Sequence, residues 1–180
     1  GAPGAGKSSL VNALVHTLVK QQKRVAIIAV DPTSPFNYGS LLGDRIRMAD
    51  HFTNDHVYIR SMATRGSLGG LCGKIVEVVH VMQCFGFDSI IIETVGVGQS
   101  EVEIAGVADT TVVVMVPEAG DEVQTLKSGV MEIADIFVVN KSDREGAEKM
   151  ALNLQKLVHG KPGQSWTIPV INTVATQQKG

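Results

Sequence analysis

GAPGAGKSSLVNALVHTLVKQQKRVAIIAVD, Gly1 to Asp31, sets the architecture of the chain. Its first eight residues fit the pattern GxxxxGK[ST]. In that pattern the glycines let successive backbone N–H groups curl around a phosphate, and the following helix adds its positive N-terminal end. After the loop, Leu10, Val11, Leu14, Val15, Leu18 and Val19 recur at helical spacing, which predicts an amphipathic helix beginning at about Lys7. VAIIAV then runs apolar and β-branched without a break, the pattern of a strand buried on both faces, and it ends at Asp31. The unit is therefore phosphate loop, helix, buried strand. In this reading Gly4, Ala5, Gly6 and Ser9 line the phosphates, Lys7 reaches the outer ones, and the Ser8 hydroxyl takes one position on Mg²⁺.

The same grammar continues downstream. SIIIE (Ser89 to Glu93), TVVVMV (Thr111 to Val116), IFVVN (Ile136 to Asn140) and TIPVIN (Thr167 to Asn172) read as short strands. Helical patterns lie between them at Gly73 to Cys84, Ser100 to Gly106, Asp121 to Ala134 and Arg144 to His159. Strands alternating with helices predict an α/β fold with a doubly wound, mostly parallel sheet. Ligands of such sheets bind beyond the carboxyl ends of the strands, where Asp31, Glu93 and Asn140 fall. Residues 32–70, rich in Gly, Ser, Asp and Arg, read as a long functional loop with one short helix near Ile46 to Phe52.

Composition narrows the classes of function. The 180 residues carry a net charge of -2 and no lysine or arginine run, which argues against nucleic acid and anionic membrane as partners. No apolar stretch approaches the roughly 20 residues of a membrane-spanning helix. The two cysteines, Cys72 and Cys84, fit neither a disulfide framework nor a zinc motif, so reduced thiols in a cytosol-like compartment are expected. One domain accounts for the length.

NKSD, Asn140 to Asp143, selects the base. An aspartate carboxylate there can accept two hydrogen bonds from guanine, which adenine cannot supply. The Lys141 stem would cover the purine face, and Asn140 would tie the base loop to the phosphate loop. Alone, NKSD also reads as a turn with Asp143 capping a helix; paired with the phosphate loop, it favours GTP. Val174 and Ala175 occupy the place of a further base-contacting loop.

On the metal side, Glu93 opens ETVGVGQSE, where a carboxylate can hold Mg²⁺ through a water and Gly96 can offer its N–H to a γ-phosphate oxygen. Asp31 and Asp44 are further acids within reach of a metal, although Asp31 before Pro32 also suits an Asx turn and Asp44 before IRMA also suits a helix N-cap. Val97 stands where many small GTPases carry the glutamine that positions water, so slow intrinsic hydrolysis is expected. Gln99 substitutes for it only after a loop rearrangement, and Arg45 or a partner is an alternative.

GAPGAGKSS, DPTSPF, GDRIRM, ATRGSLGGL, ETVGVGQSE and PEAGDEVQTLKSGVMEIADIFVVNKSD, in that order, resemble the MeaB/ArgK/MMAA family of G proteins over almost the whole chain. The resemblance implies a P-loop NTPase of the SIMIBI type that hydrolyses GTP with Mg²⁺. It implies a chaperone of an adenosylcobalamin-dependent acyl-CoA mutase, typically methylmalonyl-CoA mutase, that gates cofactor delivery and protects the mutase, with cobalamin met only through that partner. Lys7, Asp44 and Gln99 become the catalytic candidates, and Ser8, Asp31, Asp44 and Glu93 the metal set. Pro117, Glu118, Gly120, Asp121, Glu122, Gln124 and Lys127 become an additional switch. Relative to the family, Val174 replaces a serine. A strand feeding Gly1, an N-terminal helical region and a C-terminal dimerisation arm are expected in a longer, homodimeric parent. That parent would be cytoplasmic or in the mitochondrial matrix. Four alternatives stand beside this reading: the G domain of a fused mutase, a nickel metallochaperone, an ATP-dependent kinase or transport protein, and a nucleotide-dependent binding module with negligible turnover, which the absence of the glutamine at Val97 keeps open. For the nickel reading, His16, His51, His56, His80 and His159 are scattered rather than clustered.

Overall fold

The computed structural model describes residues 1–31, 51–63, 74–94, 103–117, 128–158 and 166–180. The chain divides into two compact units, Ser8–Val107 and Gly1–Lys7 with Ala108–Gly180.

The Ser8–Val107 unit is built on a parallel sheet. Helix α1 (Lys7–Lys20) precedes strand β1 (Val25–Asp31), followed by β2 (Val57–Ala63), helix α2 (Ile75–Cys84) and β3 (Ser89–Thr94). The order is β2-β1-β3, with Val25 opposite both Val57 and Ser89. Central position explains the unbroken apolar run of β1, whose residues Val25 to Val30 are all buried. The predicted stripe of α1 supplies Val11 and Val15, which close a core with Val25 and Ile27.

Strand β2 corrects the sequence reading, which treated residues 32–70 as loop. VYIRSMA is an edge strand among the described residues, and its outward positions need no apolar side chains: Tyr58 is 40% exposed. Polar alternation within a Gly- and Ser-rich stretch hid it. The short helix expected near Ile46 to Phe52 lies mostly outside the described residues.

The starts of β1 and β3 are stapled together. Arg24 donates its backbone N–H to Asp88 Oδ2 at 2.8 Å and its guanidinium Nη1 to Phe85 O at 2.9 Å, while the guanidinium lies 5.0 Å from the Phe87 ring centroid. Lys23 Nζ adds an ion pair to Asp88 at 3.6 Å. The Arg24 N–H, ahead of Lys23, holds the Asp88 carboxyl below its ordinary value.

The other unit carries a second parallel sheet. Strand β4 (Val112–Met115), helix α3 (Ser128–Ile133), β5 (Ile136–Val139), helix α4 (Ala147–Val158) and β6 (Val170–Asn172) follow in order, with β5 central. The core gathers Val113, Met115, Phe137 and Val139 from the strands against Val130 of α3 and Ala147, Met150, Ala151, Leu154 and Val158 of α4. The α4 positions recur at three and four, as a helix lying on a sheet requires. Strand β6 begins later than TIPVIN suggests because Pro169 has no N–H for the ladder; its carbonyl still accepts from Phe137 N at 2.9 Å. The α/β class of the sequence reading holds, with six described strands in two three-stranded parallel sheets.

Candidate functional site

The phosphate loop has the backbone its glycines predict. Gly4 and Gly6 adopt φ of +79° and +86°, the left-handed region that side chains disfavour. Between them Ala5 is buried, and its N–H donates to Ala2 O at 3.2 Å. Where the loop begins, a Cβ on Gly1 would overlap the Val114 carbonyl of β4. Lys7 opens α1, and its Nζ donates to Gly1 O at 2.8 Å and Ala2 O at 3.0 Å. The ammonium thus arches back over its own loop. Ser9 follows within α1.

Asn140 joins this loop to the NKSD segment. It stands one residue beyond β5 and is 3% exposed. Its Nδ2 donates to Ala5 O at 2.9 Å, while its Oδ1 accepts from Ala175 N at 3.1 Å and Thr173 Oγ1 at 3.2 Å. The contact is close enough that a Cβ on Gly6 would overlap Nδ2. Asn140 thus links the NKSD segment to the glycine loop by a direct hydrogen bond. Lys141 takes φ of +56°, and Asp143 lies exposed in the turn after it. Ala175 spends its N–H on Asn140; Val174 bridges to Lys179 beside it.

Thr173 belongs to this network and was not singled out from the sequence. Its backbone accepts from Ser142 N at 3.0 Å and donates to Val139 O at 2.9 Å, so it splices β6, β5 and the NKSD turn. A buried polar residue directly after a strand and next to Val174 was the available signal.

Within the Ser8–Val107 unit, Ser8 Oγ donates to Glu93 Oε1. A hydroxyl and a carboxylate side by side are hard oxygen donors and suit Mg²⁺, whose remaining positions are ordinarily filled by phosphate oxygens and waters. Asp31 closes β1 on the same sheet. Among the described residues no group of three or more His, Cys, Asp or Glu side chains is arranged to hold a metal. Pro117 follows β4 at intermediate exposure. Asp44, Gly96, Gln99, Glu118, Gly120, Asp121, Glu122, Gln124 and Lys127 lie outside the described residues, so the water-positioning and switch assignments are not reached.

With this geometry in hand, the family model described as methylmalonyl Co-A mutase-associated GTPase MeaB matches residues 1–180. The chain belongs to the MeaB family. A relative from Pyrococcus horikoshii is 54% identical over 186 residues, covering 100% of this chain and 58% of its own length. GTPase ArgK of Escherichia coli is 41% identical over 152 residues, 84% of this chain and 46% of that one. The mitochondrial methylmalonic aciduria type A homolog of Caenorhabditis briggsae is 45% identical over 144 residues, 79% and 35% of the two chains. The match thus spans between 35% and 58% of the length of these relatives.

Two solved structures share the fold of this MeaB-family chain. The hydrogenase maturation factor HypB of Archaeoglobus fulgidus superposes with a TM-score of 0.67 at 21% identity, covering 100% of this chain and 81% of that one. The signal recognition particle receptor FtsY of Elizabethkingia anophelis gives 0.62 at 16% identity, covering 94% and 55%. At such identities the likeness concerns the fold alone. Among the described residues no helix is long and apolar enough to cross a membrane.

Proposed function

We propose that this chain is the guanine-nucleotide-binding and hydrolysing domain of a switch protein that chaperones an adenosylcobalamin-dependent acyl-CoA mutase. The observation that carries the nucleotide reading is the Asn140 network, because a phosphate loop and a guanine-type motif share a buried side chain. The family description supports the mutase as partner. In this reading the loop amides and Lys7 bind the triphosphate, and Ser8 with Glu93 holds Mg²⁺. Asp143 reads the base, and Asp44 or Gln99 orders the attacking water. The ion supplies charge neutralisation on the β- and γ-phosphates. The segment from Pro117 to Lys127 relays the nucleotide state to the partner.

The base assignment has a direct test. Asp143→Asn replaces an acceptor by a donor at one of the two guanine contacts, so GTP affinity should fall about ten- to a hundredfold while xanthosine triphosphate gains. Competition binding with the two nucleotides measures it, and unchanged GTP affinity would reduce Asp143 to a helix cap. The partner assignment calls for the full-length protein mixed with mutase and cobalamin, in GDP and in a non-hydrolysable GTP analogue. The expected result is a complex affinity, or a rate of cofactor transfer, that differs between the two nucleotides. Identical behaviour in both would refute the chaperone role while leaving nucleotide binding intact.

A further inference from the structure

The first half of α1 is held at two points by two different segments of its unit. One is the Ser8–Glu93 hydrogen bond to β3. The other is at Asn12, where His51 Nε2 donates to Asn12 Oδ1 at 2.6 Å. His51 is 6% exposed and sits in a turn whose backbone continues tightly into β2: Asn54 N donates to His51 O at 3.1 Å, and Val57 N donates to Asn54 O at 2.9 Å. Asn12 follows Ser8 by four residues, so the two side chains share a face of the helix one turn apart. Asparagine is an unfavourable choice inside a helix, since its amide competes for backbone partners, and a bond to a buried imidazole gives it a reason to be there.

We infer that Asn12 and His51 are a positioning pair that fixes the rotation of α1 about its axis, and with it the direction of the Ser8 hydroxyl towards a bound cation. Apolar packing of Val11 and Val15 on β1 sets the distance of the helix from the sheet, but rows of similar methyl groups resist a small roll only weakly. A directional hydrogen bond on the flank does resist it. A few tenths of an ångström at Ser8 matter because Mg²⁺ demands near-ideal octahedral geometry at about 2.0–2.1 Å. The inference rests on the Mg²⁺-nucleotide reading above. It adds that Asn12 and His51, which touch neither phosphate nor metal in that reading, set the cation requirement.

The test is a Mg²⁺ titration of fluorescent GTP-analogue retention by the protein, alongside nucleotide affinity in chelator and thermal melting. Asn12→Ala should raise the Mg²⁺ concentration for half-maximal retention about three- to tenfold, the effect of one lost hydrogen bond. Chelator-state affinity should stay within about twofold. Alanine is the better helix former, so melting should not drop from propensity. His51→Gln, whose amide N–H can donate to the same oxygen, should titrate closer to wild type than His51→Ala. An unchanged Mg²⁺ midpoint in Asn12→Ala, or equal losses with and without Mg²⁺, would overturn the positioning role. If wild-type retention itself ignored Mg²⁺, the Mg²⁺-nucleotide reading would fall first and take this inference with it.

Discussion

Lys7→Ala should lower GTP affinity at least about a hundredfold. Charge-assisted hydrogen bonds to phosphate are each worth about 1.5–3 kcal/mol, and an ammonium at a phosphate loop makes more than one of them. In the structure the Nζ is already at the loop, donating to Gly1 O and Ala2 O. Little side-chain ordering is left for the ligand to impose. The loss should track phosphate count: large for GTP, smaller for GDP, and absent for guanosine, which meets only the base loop. Lys7→Arg should not restore binding, because a planar five-donor fork does not replace a compact point charge inside a tight turn. Calorimetry across the three ligands decides it, and equal losses for guanosine and GTP would show that the lysine only supports the loop.

Asn140→Ala should be the most damaging single truncation outside the apolar core. It strands three partners at once: the Ala5 carbonyl, the Ala175 N–H and the Thr173 hydroxyl. Leaving a buried donor or acceptor without its partner costs about 1–3 kcal/mol, and coupled losses of this kind reach about 3–5 kcal/mol in total. For a chain of this size that corresponds to a fall of roughly 10 °C in melting temperature. Asn140→Asp separates the contributions. A carboxylate still accepts from Ala175 N and Thr173 Oγ1 but cannot donate to Ala5 O, so it should keep the base-loop side and loosen the phosphate loop. Differential scanning calorimetry with and without GDP distinguishes the two variants. A melting temperature within about 2 °C of wild type for Asn140→Ala would mean that water replaces the network at no cost.

The sequence made the central features legible because each depends on a local rule. A glycine at φ of +86°, an apolar stripe at helical spacing and a continuous β-branched run are properties of neighbouring residues, so Gly6, α1 and β1 were readable directly. The contact of Asn140 with the glycine loop was also foreseeable, since its motif has a fixed spacing. Strand β2 was not, because a strand at the edge of the sheet, as β2 is among the described residues, lacks the two-sided apolar pattern that marks a central one. Thr173, Asn12 and His51 escaped for another reason. Their importance comes from partners distant in the chain, and a lone polar residue gives no sign of what it will face once the sheet has formed. The residues assigned to the metal, the water and the switch rest on sequence; of these, the fold brings Ser8 and Glu93 into contact.

Gly6 and Asn140 have a consequence for how such a domain can be rebuilt. A side chain at position 6 would collide with the Asn140 amide, and the φ of +86° penalises it even if position 140 were trimmed to make space. A smaller residue at 140 therefore cannot license a larger one at 6. The two loops, far apart in the chain, behave as one cassette. Grafting either alone from a distant GTPase would import a mismatch, whereas moving both together carries the fit along.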